Sequence, residues 1–125
     1  MSEPSPSSQV VSSILVLRLL QPELSGDLLA ETVRDELITQ LDASNVKNIV
    51  LDMSEVNYIS SAGITPLLTL VKAVREKKGR LVLAGLTPTV EDVFQASRLI
   101  TSGKAHAAPL EHQSDVAAAI QSLCR

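Results

Sequence analysis

Aromatic side chains are almost missing from this 125-residue chain: Tyr58 and Phe94 are its tyrosine and phenylalanine, and it has no tryptophan. That excludes the stacking platforms on which bases and sugar rings are held. Positive charge is not in excess either, with eleven basic residues against fourteen acidic ones and a net charge of −3. Such a balance does not draw a phosphate backbone or an anionic lipid surface, so nucleic acid is not an expected partner. The single cysteine, Cys124, stands one residue from the end of the sequence and has no second thiol with which to form a disulfide or a Cys-rich metal site. A reducing cytoplasm suits such a chain. No stretch approaches the roughly 18 consecutive apolar residues that span a bilayer. The run from Ile14 to Leu20 is broken by Arg18, and direct membrane insertion is not expected. The first eight residues, Met1-Ser2-Glu3-Pro4-Ser5-Pro6-Ser7-Ser8, lack the positive start and apolar stretch of a secretory signal. Residues 1–11 are therefore expected to be a disordered tail ahead of one domain over residues 12–125.

What the chain does have is apolar content, 45% of its residues, enough for one buried core. From residue 14 onward, apolar runs alternate with segments of helical period, the pattern of strands interleaved with helices around a mostly parallel sheet. Ile14 to Leu20 reads as a strand ended by Pro22, which supplies no ladder donor. Around Asp27 to Leu41, the positions Leu29, Val33, Leu37 and Leu41, with Leu28 and Ile38 beside them, share one helical face. Ile49 to Met53 is an almost unbroken β-prone run, as expected of a central strand buried on both sides. Leu67, Leu68, Val71 and Val74 mark a second amphipathic helix, with Lys72, Arg75, Glu76, Lys77 and Lys78 on its wet side and Gly79 as its stop.

Arg80 to Gly85 is the next strand. Thr87-Pro88 opens a short helix to Ser97 whose buried stripe is Val90, Val93 and Phe94. Lys104 to Leu110 is a weaker strand candidate, and Ser114-Asp115 caps a final helix bearing Val116, Ala119, Ile120 and Leu123. There is room for one more short strand near Glu23-Leu24. The expected fold is α/β, with a four- to five-stranded mixed, mostly parallel sheet and about four helices.

The most informative segment runs from Asp52 to Ile64 and joins the central strand to the second helix. Ser60 and Ser61 stand where a helix begins, and the first four N–H groups of a helix lack intrahelical partners and carry the positive end of its dipole. A phosphoryl group is electrostatically favoured there. The small Ala62 and Gly63 are expected to keep this end open to another protein. Pro66 leaves two starts possible: a helix from Ser61 that forgoes the bond from residue 66 back to Ala62, or one capped by Thr65 with Pro66 first. A plain N-cap role is the competing reading of Ser60 or Ser61.

Asn48 to Met53, followed by Ser54-Glu55-Val56-Asn57-Tyr58-Ile59-Ser60-Ser61-Ala62-Gly63-Ile64, then Lys78 to Leu83 and the helix from Pro88 to Ser97, together resemble a STAS domain of the anti-sigma factor antagonist type. The resemblance covers about residues 12 to 123. In the phosphorylated members the pattern is Asp-Ser-Ser-or-Thr-Gly, and the serine after the aspartate accepts phosphate. Laid on this chain, that implies Ser61 as the acceptor, Ser60 in the aspartate position, Ala62 in the second hydroxyl position and Gly63 as the glycine. The family's first loop, often carrying a glycine and an aspartate, is replaced by Pro22 and Ser25. The resemblance implies a partner-binding surface of Ser25, Ser60, Ser61, Ala62, Gly63 and Ile64. It also implies two partners: a serine kinase of histidine-kinase-like fold that doubles as an anti-sigma factor, and a serine phosphatase. No cofactor is implied.

Other readings are poorer. Asp52 and Glu55 are better taken as loop acceptors than as a catalytic carboxylate pair. His106 and His112 lack partners at metal-ligand spacing apart from Glu111. A nucleophile elbow needs Gly-x-Ser-x-Gly, and Ile59 stands where the first glycine belongs. Ser102-Gly103-Lys104 lacks the upstream glycine of a phosphate-binding loop. No enzymatic activity is expected, and the alternative within the fold is a STAS scaffold or accessory subunit of a membrane transporter or sensory complex.

Overall fold

A computed structural model describes residues 7–11, 13–96 and 110–124. The first strand is β1 (Ser7–Val11), where a disordered tail was expected. It turns back through Ser13, whose φ is +63°, and pairs antiparallel with β2 (Ile14–Arg18) from Ser7↔Arg18 to Val11↔Ile14. The correction has a simple cause. The prolines and serines that dominate the first eight positions hide the fact that Gln9-Val10-Val11 can add to the strand that follows, pairing with Val16, Leu15 and Ile14, and pairing with a neighbouring strand outweighs local composition. Residues 1–6 of the expected tail lie outside the described residues.

The short β3 (Glu23–Leu24) is followed by α1 (Asp27–Ser44), which ends at Asn45 in the left-handed region. Then come β4 (Asn48–Asp52), the two-residue β5 (Tyr58–Ile59), α2 (Ser61–Glu76), β6 (Leu81–Ala84), α3 (Pro88–Ala96), β7 (Glu111–Gln113) and α4 (Val116–Leu123). The main sheet has the order β1-β2-β4-β6-β7 and is parallel except for β1, while β3 and β5 form a small parallel pair of their own. The expected strand from Lys104 to Leu110 falls, but for Leu110, outside the described residues, as do His106, Ser97 and Ser102-Gly103-Lys104. The strand that pairs with β6 is the polar Glu-His-Gln segment just after it.

Period-2 alternation divides the core. Leu15, Leu17, Ile49, Leu51, Leu81 and Leu83 face one layer with α1, α2 and α3, where Leu37, Leu70 and Phe94 are wholly buried. Ile14, Val16, Val50, Val82 and Ala84 face the other, covered by Ala119 and Leu123 of α4. Each of the valine, leucine, isoleucine and phenylalanine side chains among them contributes about 1.5–3 kcal/mol by leaving water. The sheet is thereby fixed from both sides, and the ends of its strands become rigid anchor points for loops.

At one edge Arg80 forks onto Glu111, its Nε 3.1 Å from Oε2, tying β6 to β7. This hydrogen bond, with the charge of Glu111, holds the Arg80 guanidinium above its ordinary pKa against the opposing effect of its partial burial. Asp115 caps α4 as expected, its carboxylate accepting from the Ala118 N–H at 2.8 Å. α2 ends at Glu76, and the left-handed residue beyond it is Lys78, with φ +63°, rather than the expected Gly79; Gly79 serves a close approach instead, since a Cβ there would stand 1.9 Å from the Lys47 carbonyl oxygen. Two leucines depart from the expected helical faces. Leu28 is 78% exposed and Leu68 is 38% exposed, while Leu70 takes the place in the core that Leu68 was expected to fill.

Candidate functional site

The site is built where β4 ends and the chain loops through β5 into α2. At the end of β4, Asp52 Oδ1 accepts from the Ser54 N–H at 3.0 Å. Arg18 lies 3.7 Å from Asp52 Oδ2 and donates to Glu55 at 3.0 Å. The two carboxylates thus share one cation, and Asp52 also binds a loop amide, which is a structural arrangement. The loop is held lower down by Asn57 N–H donating to the Pro22 carbonyl and by the Thr87 hydroxyl donating to the Val56 carbonyl at 2.9 Å.

β5 then runs beside β3, and at its end the two adjacent serines part. Ser60 is the N-cap of α2: its backbone is extended, its carbonyl accepts from the Ile64 N–H, and its Oγ accepts from the Gly63 N–H at 3.3 Å. Its own N–H donates to the Leu24 carbonyl at 2.9 Å, and its Oγ approaches the same oxygen at 3.4 Å. Ser60 therefore belongs to the scaffold. Ser61, the first helical residue, is exposed. Among the described residues no side chain hydrogen-bonds its hydroxyl.

Of the two helix starts left open by the sequence, the chain takes the one at Ser61, and α2 passes through Pro66. Pro66 has no N–H, so the Ala62 carbonyl is left without its usual helical donor. Ala62, Thr65 and Pro66 line one wall of a groove of about 300 Å³ against Ala30, Glu31 and Arg34 of α1.

The remaining expected contact residues divide. Ala62 is half-buried on that groove, and Ser25 is half-buried in the turn just after Leu24, on the loop whose carbonyl receives Ser60. Gly63 and Ile64, expected in the same contact surface, are both buried in the chain. A Cβ on Gly63 would lie 2.2 Å from the Leu24 carbonyl oxygen, so this glycine does not hold the helix mouth open. It lets α2 close onto β3. Leu24, expected as part of a short strand, was not legible as a site residue because the site uses its backbone, for which the side chain type carries no signal. Tyr58, 47% exposed on β5, adds an amphipathic surface two residues before Ser60.

Among the described residues no three His, Cys, Asp or Glu side chains gather as a metal site, and no helix is long and apolar enough to cross a membrane. The fold and the site define a small parallel-sheet scaffold that displays one unengaged hydroxyl at the mouth of a capped helix. Its family follows from comparison with known proteins: the STAS domain model matches residues 5–108, and the chain belongs to the STAS domain family. A candidate anti-sigma factor antagonist from Bordetella bronchiseptica, BtrV, is 39% identical over 72 residues, which cover 58% of this chain and 61% of BtrV.

Solved structures agree in fold. A candidate anti-sigma factor antagonist from Thermotoga maritima superposes with a TM-score of 0.79 at 15% identity, covering 96% of this chain and 95% of its own. The Bacillus cell fate determinant SpoIIAA in its phosphorylated form gives a TM-score of 0.63 at 21% identity, covering 94% of this chain and 99% of its own. Its unphosphorylated form gives 0.70 at 22%, covering 94% and 96%.

Proposed function

We propose that this chain is an anti-sigma factor antagonist. With Ser61 unmodified it binds a serine kinase that also serves as an anti-sigma factor, and phosphorylation of Ser61 ends that complex until a serine phosphatase restores it. The module acts in the cytoplasm and catalyses no reaction of its own. The observation that carries the reading is the parting of the serine pair: Ser60 is consumed by the cap, whereas Ser61 is exposed and its hydroxyl is not used by the fold. The name of BtrV and the existence of SpoIIAA in both phosphorylated and unphosphorylated forms support it.

The physical effect of the modification follows from the site. A phosphate adds about −1.5 to −2 charges and three acceptor oxygens to a surface that was neutral. The first turn of α2 carries no acidic residue, so the added charge meets the helix dipole favourably in the free protein. In a complex the same charge must be desolvated against the partner, and it is this difference between free and bound states that lowers affinity.

The test is to incubate the purified chain with the purified serine kinase/anti-sigma factor of the same organism and ATP, and to map phosphate by mass spectrometry. Modification is expected at Ser61 and lost in Ser61→Ala, which still binds. Ser61→Asp is expected to bind at least about tenfold more weakly, a change of about 1.4 kcal/mol. Phosphate on another residue, or equal affinity of Ser61→Asp and wild type, overturns the proposal.

A further inference from the structure

The two edges of the main sheet differ. β7 is three residues long and its Glu111 is tied to Arg80, so that edge is short and charged. β1, at the other edge, is five residues long, and Ser7-Ser8-Gln9-Val10-Val11 contains neither a charge nor a proline. It pairs residue for residue with β2 at all five positions, without a bulge. Short strands, charges, prolines and bulges are the devices that keep a sheet edge from pairing with another chain. β1 has none of them.

In an antiparallel ladder alternate residues turn their N–H and C=O groups to the neighbouring strand, and the residues between them turn theirs outward. Among the described residues β2 is the one strand that pairs with β1, so the outward groups meet no strand. The side chains are as open as the backbone. Val11 packs against the layer that α4 covers. Val10 stands opposite Leu15, on the face that α1 covers, yet it is 55% exposed, and Ser8 and Gln9 are exposed beside it.

We propose that this edge is a self-association surface: β1 pairs antiparallel with β1 of a second copy across a two-fold axis at Gln9, joining two five-stranded sheets into one. Such an axis sets Ser8 opposite the partner's Val10, and Gln9 opposite the partner's Gln9. Opposed residues then differ by zero, two or four positions, so outward groups meet outward groups along the whole strand. The two Val10 side chains become diagonal neighbours about 7–8 Å apart on one face, and the two Gln9 amides meet on the other. A second copy is the occupant the strand selects. A neutral edge has no charge with which to choose a foreign segment, and the two-fold match uses every residue of β1. The pairing goes beyond the proposed function and does not depend on it. Five residues a side fall short of the roughly 20–30 that a stable complex uses, so a dissociation constant of about 10 μM to 1 mM is expected.

The experiment is sedimentation equilibrium of the full chain from about 10 μM to 2 mM, with wild type, Gln9→Glu, Gln9→Lys and an equimolar mixture of the two variants. Each variant alone opposes like charges across the axis and is expected to weaken self-association about fivefold or more; the mixture opposes Glu to Lys and should return to wild-type strength. A wild type that stays monomeric across this range overturns the pairing, whether the edge is left bare or taken by a strand of another protein. Self-association that both single variants retain places the contact elsewhere and overturns it too, as does a mixture no stronger than its components. If either variant has a lowered melting temperature, the mixture decides, because a charge that merely loosened β1 would not be repaired by mixing. None of these outcomes bears on the role of Ser61.

Discussion

Gly63→Ala places a methyl group where α2 and β3 touch. Its Cβ would lie 2.2 Å from the Leu24 carbonyl oxygen, whereas ordinary contact begins near 3.4 Å, so helix and strand must separate by about 1 Å. That movement would stretch the bond from the Ser60 N–H to the Leu24 carbonyl, now 2.9 Å, beyond hydrogen-bonding range. Losing it costs about 0.5–1.5 kcal/mol, and the overpacking adds about 1–3 kcal/mol. Alanine returns at most about 1 kcal/mol through its higher helix propensity. The net expectation is a destabilisation of about 2 kcal/mol, near 8 °C in melting temperature for a domain of this size.

Urea titration with a far-ultraviolet circular dichroism readout gives the free energy, and amide hydrogen exchange at Ser60 reports whether the contact itself has opened. Gly79→Ala is the control: it meets the Lys47 carbonyl at 1.9 Å at the far end of α2. It should destabilise the fold while leaving Ser60 exchange near its wild-type rate. A Gly63→Ala protein as stable as wild type, or more so, would show that propensity outweighs the close approach and that the reasoning about how Ser60 is anchored is wrong.

The cap makes a second prediction. Ser60→Ala removes the acceptor of the Gly63 N–H and should cost about 1 kcal/mol, while Ser60→Asp should keep wild-type stability or exceed it by a few tenths, since a carboxylate both caps and complements the dipole. Thermal melts of the two proteins separate these outcomes, and a neutral Ser60→Ala would remove Ser60 from the scaffold. At the opposite edge, Glu111→Gln should cost less than about 1 kcal/mol, because Arg80 and Glu111 are both nearly half exposed. The raised pKa of Arg80 means its share of stability is complete below the unfolded-state value and is lost only as pH climbs past the folded one. Stability from this pair should therefore stay flat on the alkaline side of neutrality, and a loss there in wild type but not in Glu111→Gln would contradict it.

How much of this was legible in the sequence depended on whether the signal was local. The unbroken Ile49-Val50-Leu51 run announced a strand buried on both faces, and Asp115 announced the start of α4, because period and capping chemistry are written in adjacent residues. β7 was not legible in the same way: Glu111-His112-Gln113 has no apolar alternation and is a strand only because β6 offers it a ladder. Leu67 and Leu68 are neighbours, and one residue turns a helix by about 100°. Counting apolar residues could not tell which of them lies past the edge of the buried stripe. Gly63 was legible as special but not as buried, since its neighbour Leu24 comes from 39 positions earlier in the chain.

The same helical rotation explains why a serine in place of the family's aspartate need not disable the site. Residues 60 and 61 straddle the first turn, so one must face the scaffold and the other the solvent; the cap decides which, and serine caps nearly as well as aspartate. Geometry is preserved while a charge is lost. A carboxylate beside a phosphorylated serine would raise the second pKa of the phosphate by like-charge repulsion. With Ser60 there, a phosphate on Ser61 would be more fully dianionic at neutral pH, and the charge presented to a partner would be larger. Phosphorus NMR titration of Ser61-phosphorylated wild type against Ser60→Asp measures this directly: the aspartate variant should titrate at higher pH, and coincident curves would mean that residue 60 has no electrostatic influence on the switch.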